Sequence, residues 1–471
     1  MIHAAALVAA IAAGPTAVEL TVYNQGFALV KETRTIDLRS GRQLVNVEDV
    51  AQRIEPSSVA IKSLSAPGSF TVLEQNYQYD LISVNAILNK AVGQKITFHR
   101  TLPNGAREII KGTLLTAPTN PADGSDSGMV IRADDGRILL NPSGEISVDS
   151  LPDGLISKPT LVWDLESAKA GNNTIELSYL TQGIGWSCDY VMALEKDGSA
   201  GDFKGWVRLD NQSGANFNNA VLKLLAGEVQ RVPQVRARGG MAGAPQMDAM
   251  AAKESFAEEQ FADYHLYTLQ RPATVKNRES KQVSLLEAFM VPVRKKLILD
   301  PMRAYGGWRP QEGEVGTGSM KPQIRIEFKN DQASKMGMPL PQGTVKVYQR
   351  DKSGSLQLLG EDAIDHTPKD ELISLVVGRA FDVIGERKRT KFEYFRDSTR
   401  IRGANETFEI QLRNRKETPD TVTCIERYWG EYKVTKNSMP YEQLDSNTFQ
   451  FVVPLKANEV KTVTFTVESR W

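Results

Sequence analysis

Lys461-Thr462-Val463-Thr464-Phe465-Thr466-Val467, close to the C-terminus, decides the fold class. Val463, Phe465 and Val467 alternate with Thr462, Thr464 and Thr466, a period of two that turns one apolar face inward and one polar face to water. Working outward, the same beat recurs at Phe408, Ile410 and Leu412, at Ile324, Ile326 and Phe328, at Val345 and Val347, and at Ile175, Leu177 and Tyr179. Turn formers such as Asp351-Lys352-Ser353-Gly354 and Arg402-Gly403-Ala404-Asn405 punctuate these runs. No long stretch keeps a 3.6-residue period, so the chain reads as mainly β, built from several antiparallel, Ig-like β-sandwich domains.

A chain of 471 residues exceeds what one core supports, which implies several domains. Lys plus Arg number 57, as do Asp plus Glu, so no net charge draws the chain to nucleic acid or an anionic membrane. At the N-terminus, Ala4 to Ala13 is an apolar, small-residue run ending at Gly14-Pro15. It is shorter than the ~20 residues a membrane helix needs and suits a signal-peptide core, although no Lys or Arg precedes it. Residues 1–17 are therefore expected to direct export, with cleavage between Ala12 and Ala17 and a periplasmic or secreted product. No transmembrane segment is expected in the mature protein.

Composition marks the remaining boundaries. Residues 18–79 open an N-terminal sandwich with Leu20-Thr21-Val22-Tyr23 and Phe27-Ala28-Leu29-Val30. Residues 80–150 start with a short helical piece, Leu81 to Ala91. Five short strand candidates follow, at 95–98, 108–110, 112–115, 129–131 and 137–140, with Gly112 expected at a sharp bend. That order, in the phrase "VGQKITF…GTLL…DGRILL", resembles Sm-like and SH3-like barrels, and a small closed barrel inserted here is the expectation. Residues 151–232 and 259–319 are expected to be two halves of one β-domain. Between them, 233–258, including "PQVRARGGMAGAPQMDAMAA", holds little to bury and reads as a linker. The alternative there is an Ala/Met amphipathic segment, Met247 to Phe261, that folds on a partner. Residues 320–471 are expected to form a seven-to-nine-strand sandwich.

Four blocks belong together: "YNQGFALVKETR" (Tyr23–Arg34), "YLTQGIGWSCDYV" (Tyr179–Val191), "GWVRLDNQSGANFNNAVLKLLAGEVQRV" (Gly205–Val232) and "GEDAIDHTPKDE" (Gly360–Glu371). In this order they resemble the bacterial exported domain-of-unknown-function family that includes mucoidy-inhibitor-like proteins. The resemblance spans nearly the whole mature chain. It implies a β-rich envelope protein without established chemistry. Cys188 departs from the small residue that the resemblance implies at its position, which weakens any case for an essential thiol.

Candidate chemistry is sparse. Glu361, Asp362, Asp365, His366, Asp370 and Glu371 crowd into one short stretch, and oxygen ligands this dense suit Ca²⁺ or, with His366, a transition metal. The residues singled out as metal ligands are Asp362, Asp365, His366 and Asp370. The spacing matches no EF-hand or zinc motif, so a solvated turn shaped by Pro368 is the competing account. His99 falls on the polar face of its strand, His265 follows the linker, and no G-x-S-x-G elbow surrounds any serine. Ser187-Cys188-Asp189 sets nucleophiles beside a carboxylate but no base adjoins them. Gly313 to Lys321 fails the phosphate-loop spacing. Cys188 and Cys424 make no disulfide framework, and a buried strand thiol is expected at Cys424.

Aromatic residues favour binding over catalysis. Tyr428, Trp429 and Tyr432 in "ERYWGEY" are the candidate binding cluster, whereas Trp206 is expected in a core. Glu386–Arg396, "ERKRTKFEYFR", reads as a solvated basic edge or as a surface for acidic glycans or lipopolysaccharide. The function expected is a non-enzymatic envelope module that binds a protein or glycan, with no cofactor and no nucleic acid. The alternative is an envelope hydrolase whose site is assembled from dispersed carboxylates.

Overall fold

The computed structural model describes residues 10–102, 104–118, 128–231, 256–261, 264–302, 310, 312–313, 316–428 and 430–471. Strands dominate it, with one α-helix, Val84–Lys90, among the described residues. No described helix is long and apolar enough to cross a membrane. The chain forms two compact units. The first comprises residues 1–185, 210–223 and 271–280, the second 186–209, 224–270 and 281–471.

In the first unit, Phe27–Leu38 pairs antiparallel along its whole length with Gly171–Gln182, and Ala17–Tyr23 and Ala60–Ser63 flank this ribbon. A second sheet orders Ala10–Ile11, Gly41–Glu48, Thr160–Ser167 and Phe70–Gln78. Alternate residues of both sheets, among them Val30, Ile36, Val45, Val47, Leu161, Ile175 and Leu177, are buried. Each such side chain contributes roughly 1.5–3 kcal/mol on leaving water. Trp163 is fully buried, and its indole N–H donates to Gln75 Oε1 at 3.0 Å. Arg34 and Glu32 pair on the buried face of one strand at 2.7 Å. Tyr179 Oη donates to Glu32 and Arg34 Nη1 to the carbonyl of Glu48, so this buried pair is also hydrogen-bonded. The strands at 160–167 and 171–182, expected in a separate β-domain, thus complete the N-terminal sheets. Residues 1–9 of the proposed signal lie outside the described residues, and Ala10–Ile11 pairs parallel with Val45–Asn46.

A small module is inserted between these strands. Ser83 caps its helix by accepting from the N–H of Ala86 at 3.1 Å, and Leu88 and Ala91 pack onto Ile96, Phe98, Ile110 and Leu114. Its five strands run in the order Ile138–Leu140, Val130–Ala133, Arg107–Thr116, Lys95–Thr101, Glu145–Ser147. The expected closed barrel is corrected: the two outermost strands do not pair, so the sheet is open. Each edge strand is three residues long, too short to supply a closing ladder at the required stagger. Residues 108–110 and 112–115 are also one strand rather than two. Gly112 lies within it, where an added Cβ would meet the carbonyl oxygen of Arg132 at 2.5 Å. The glycine permits close strand approach, not a bend.

The second unit contains three sheets. In one, Ile184–Leu194 pairs parallel with Gly343–Arg350, flanked by Ala200–Asn211, Glu279–Pro292 and Leu356–Ile364. The other two enclose a common core of Leu297, Val422, Phe449, Phe451, Phe408, Ile410, Val463 and Phe465. One orders Leu372–Arg379, Gln323–Lys329, Arg294–Leu299, Asp420–Arg427, Thr448–Leu455 and Glu442–Gln443. The other orders Gly318–Met320, Val383–Asp397, Arg400–Asn414, Val460–Arg470 and Glu431–Asn437. The C-terminal sandwich therefore recruits Arg294–Leu299 from outside 320–471 and releases 343–364 to the first sheet. Hydrogen bonding between strands remote in sequence makes both changes. The proposed linker shortens too: Phe256–Phe261 is a strand paired with Tyr264–Leu269, and Phe256 is buried. Residues 233–255 lie outside the described residues.

One corner recurs three times. Asn211, Asn330 and Asn414 are fully buried at or just after strand ends. The Nδ2 of Asn211 donates to the carbonyls of Ala215 and Lys276, both at 3.0 Å, while Oδ1 accepts from the N–H of Ser213. Asn414 repeats this with Thr418 and Lys456 as acceptors and Lys416 as donor. Asn330 does so with Met338, Pro368 and Gly337. Two residues after Lys276, Pro368 and Lys456 stand Arg278, Asp370 and Asn458, at φ +57°, +64° and +55°. Each tie satisfies carbonyls that would otherwise be buried without a donor.

Candidate functional site

The first of these ties builds a cleft in the first unit, about 570 Å³ in volume. Its walls come from the loop after Gly41–Glu48 (Gln52, Arg53), the end of Ala200–Asn211 with the following turn (Asp210, Asn211, Gln212, Gly214) and the turn Asn277–Ser280. Main-chain hydrogen bonds lock these segments. Arg53 donates to the carbonyl of Ser213 at 3.0 Å, Gln182 to that of Arg53 at 3.0 Å, and Gln212 to that of Gly183 at 2.6 Å. Gly214 N–H reaches Asn277 Oδ1 at 3.1 Å, and Asn277 N–H reaches Asn216 Oδ1 at 2.8 Å. Arg278 N–H donates to the carbonyl of Asn211 at 2.7 Å.

Polar side chains dominate the lining. Glu279 Oε2 accepts the N–H of Lys276 at 2.8 Å, and Asp210 is also engaged. Arg53 and Arg278 are exposed and have no ion-pair or side-chain hydrogen-bond partner among the described residues. Beside the cleft, Tyr77 Oη donates to the carbonyl of Gln52 at 2.7 Å, and burial, with Tyr79 adding to it, pushes the Tyr77 phenol up to about 12. Fixed amides, a serine and two unpaired guanidiniums suit recognition of a hydroxyl- and carboxylate-bearing ligand. The sequence reading missed this place: Asp210–Gly214 entered it only within the block Gly205–Val232 that carries the resemblance, and Arg53 and Arg278 carried no signal.

The four residues considered as metal ligands do not converge. Asp362 Oδ2 accepts the N–H of Val376 at 2.7 Å, protecting a strand edge. Asp365 offers its main-chain carbonyl to Thr367, His366 Nδ1 accepts the N–H of Gln342 at 3.3 Å, and Asp370 serves an asparagine tie. Burial holds the His366 imidazole below its ordinary range; Asp365 opposes the shift and His265 adds to it. Among the described residues no three His, Cys, Asp or Glu side chains are placed to hold a metal ion.

Of the aromatic cluster, one member is placed in a core. Tyr428 is a core residue, stacked on Tyr432 at 5.2 Å and on Phe449 at 5.9 Å. Tyr432 is half-buried, and Trp429 lies outside the described residues. Trp206, expected in a core, is exposed because it shares the outward face of its strand with Lys204 and Arg208, while Phe203, Val207 and Leu209 turn inward. The basic run is only partly solvated. Arg387 is buried in a two-bond pair with Glu426 at 2.9 and 2.7 Å and lies over the Phe408 ring at 3.8 Å, and Arg389 pairs with Glu406 at 2.7 Å.

Remaining candidates hold structural positions. His99 Nε2 lies 3.0 Å from Ser147 Oγ, and His265 Nδ1 lies 2.7 Å from Glu258 Oε1 across a hairpin. Asp189, beside Ser187, faces Arg208 at 3.6 Å. Both cysteines are free and buried, and burial pushes the Cys188 thiol up to about 12 and raises Cys424 as well. Together these features define a mainly β protein of several sheets. Neither a comparison with protein-family models nor one with curated proteins returns a match for this chain.

Proposed function

We propose that this chain is an exported, non-enzymatic module of the bacterial cell envelope, and that it binds an envelope protein or glycan through the cleft of the first unit. The observation that carries the reading is the pairing of a hydrogen-bonded, pre-set backbone with exposed polar side chains at Gln52, Arg53, Gln212 and Arg278. Binding sites of this kind lose little entropy when a ligand arrives, because the loops are already ordered. His99, His265 and His366 each have a structural contact and both thiols are buried, so the hydrolase alternative would have to draw on carboxylates alone. The Ig-like and SH3-like character of the domains, the signal at 1–17 and the family resemblance belong to the same reading.

Fractionated envelope polymers and proteins, passed over the immobilised mature chain, test it. Retention of a component that Gln52→Ala with Gln212→Ala releases is the expected result. Turnover of that component by the native chain, abolished by one carboxylate substitution, would replace the reading with the hydrolase alternative.

A further inference from the structure

We infer that the cleft takes an acidic saccharide, its carboxylate held between Arg53 and Arg278; this rests on the binding-module reading above. The recurring corner supplies the reason. At the left-handed position of the three related turns stand Arg278, Asp370 and Asn458; the first two donate their N–H to the carbonyl of the tie asparagine, the third to that of Lys416. Asp and Asn tolerate that backbone because their short polar side chains bond locally, and a long cation has no such compensation. The disfavoured residue occurs in the turn that lines a cleft with a second free arginine. Lys335 and Met290 adopt the same φ elsewhere, so the strain at Arg278 supports the assignment through its place in the cleft lining and not by itself.

The second arginine is also provided for. Gly183, at φ +77°, leaves open the volume in which the Arg53 side chain lies. Arg53 and Arg278 have no ion-pair partner among the described residues while Asp210 and Glu279 are engaged, which leaves the guanidiniums as the groups the lining offers to an anion. Gln52, Gln212 and Asn277 add neutral donors and acceptors that a bare inorganic anion leaves unused, and that match sugar hydroxyls. A volume of about 570 Å³ exceeds what one small oxyanion fills. Among the described residues no aromatic ring lines the cleft, so they offer no platform for base stacking.

Calorimetric titration of the full chain with a galacturonate trimer, a neutral galactose trimer and inorganic phosphate tests this. The galacturonate trimer is expected to bind, with affinity falling as salt rises. Arg53→Gln and Arg278→Asn are each expected to weaken it by about tenfold or more. Arg278→Asn is the sharper variant. The corner at Asn458 already carries asparagine in this backbone, so the variant should melt no lower than the native chain while losing the ligand. Equal binding of both trimers would overturn the acidic assignment and leave the glycan module standing. Phosphate binding without either trimer would overturn the saccharide. Galacturonate binding undiminished in both arginine variants would place the ligand elsewhere and sink the inference, as would no binding by any probe. Retention of an envelope protein alone, released by the glutamine substitutions, would sustain the module and exclude its saccharide.

Discussion

Arg53 occupies the space that a side chain on Gly183 would need: a Cβ there would lie 2.8 Å from both Cδ and Nη1 of the arginine. The two residues belong to different loops, joined through Gln182, whose N–H donates to the carbonyl of Arg53, and Gln212, whose N–H donates to that of Gly183. Turn conformation and guanidinium position are therefore coupled in one small region of the first unit.

Gly183→Ala should be destabilising through two separable effects. The positive φ costs an alanine about 1 kcal/mol, and displacement of Arg53 adds to it. Gly26, at φ +85° with nothing within 4 Å of an added Cβ, isolates the first effect. In urea titrations Gly183→Ala should lose more stability than Gly26→Ala, and Arg53→Ala should recover part of the difference, the carbonyl of Gln212 at 3.0 Å from the added Cβ holding the rest. Equal losses would show that the arginine yields freely.

The asparagine ties should each be worth roughly 2–4 kcal/mol, because alanine leaves buried carbonyls without donors. Asn211→Asp, Asn330→Asp and Asn414→Asp should be at least as damaging as the alanine variants, since a carboxylate cannot donate to either carbonyl. Ligand retention should suffer in the Asn211 variants and survive in those Asn414 variants that remain folded. Denaturant midpoints alongside binding measurements separate the two effects.

Arg387 and Glu426 form a buried, bidentate pair with side-chain exposures of 1% and 0%. Glu426→Gln should cost about 3–5 kcal/mol by stranding a buried guanidinium, and the double change Arg387→Met with Glu426→Leu should cost less than the two single changes combined. A double-mutant cycle from equilibrium unfolding measures this coupling. Additive losses would contradict it.

His366 carries a pH signature. Its folded pKa is depressed, chiefly by burial, below the unfolded value of about 6.5. Its neutral form is thus favoured by folding. That contribution is intact above about pH 6.5 and is lost as pH falls toward the folded pKa, where the unfolded chain binds a proton first. Native protein should lose stability as pH falls below about 6.5, and His366→Gln should flatten that part of the curve. Asp365, next to it, opposes the shift, so Asp365→Asn should steepen the loss.

Much of the secondary structure was legible from alternation. Val463, Phe465 and Val467 are buried, as are Phe408, Ile410 and Leu412, because a strand's side chains change face at every residue. The acidic stretch at 360–371 shows where such reading stops. Density of carboxylates along the chain says nothing about convergence, and the first strand of that stretch turned Asp362 toward a strand edge while Asp370 went into a turn. Trp206 and Tyr428 were misjudged because aromatic character is shared by core and surface, and only the face of the strand separates them.

Local spacing was enough to show that this protein is built of strands and that a short helix with short strands lies near residues 80–150. Those properties follow from local spacing and backbone preference. The assembled fold was needed to show that Gly171–Gln182 completes the N-terminal ribbon, that Gly343–Arg350 joins Ile184–Leu194, and that Arg53 and Arg278 line one cleft. Sheet pairing and ligand sites bring together residues far apart along the chain, and their selection rests on the summed burial and hydrogen bonding of whole sheets. No local window of sequence contains that sum.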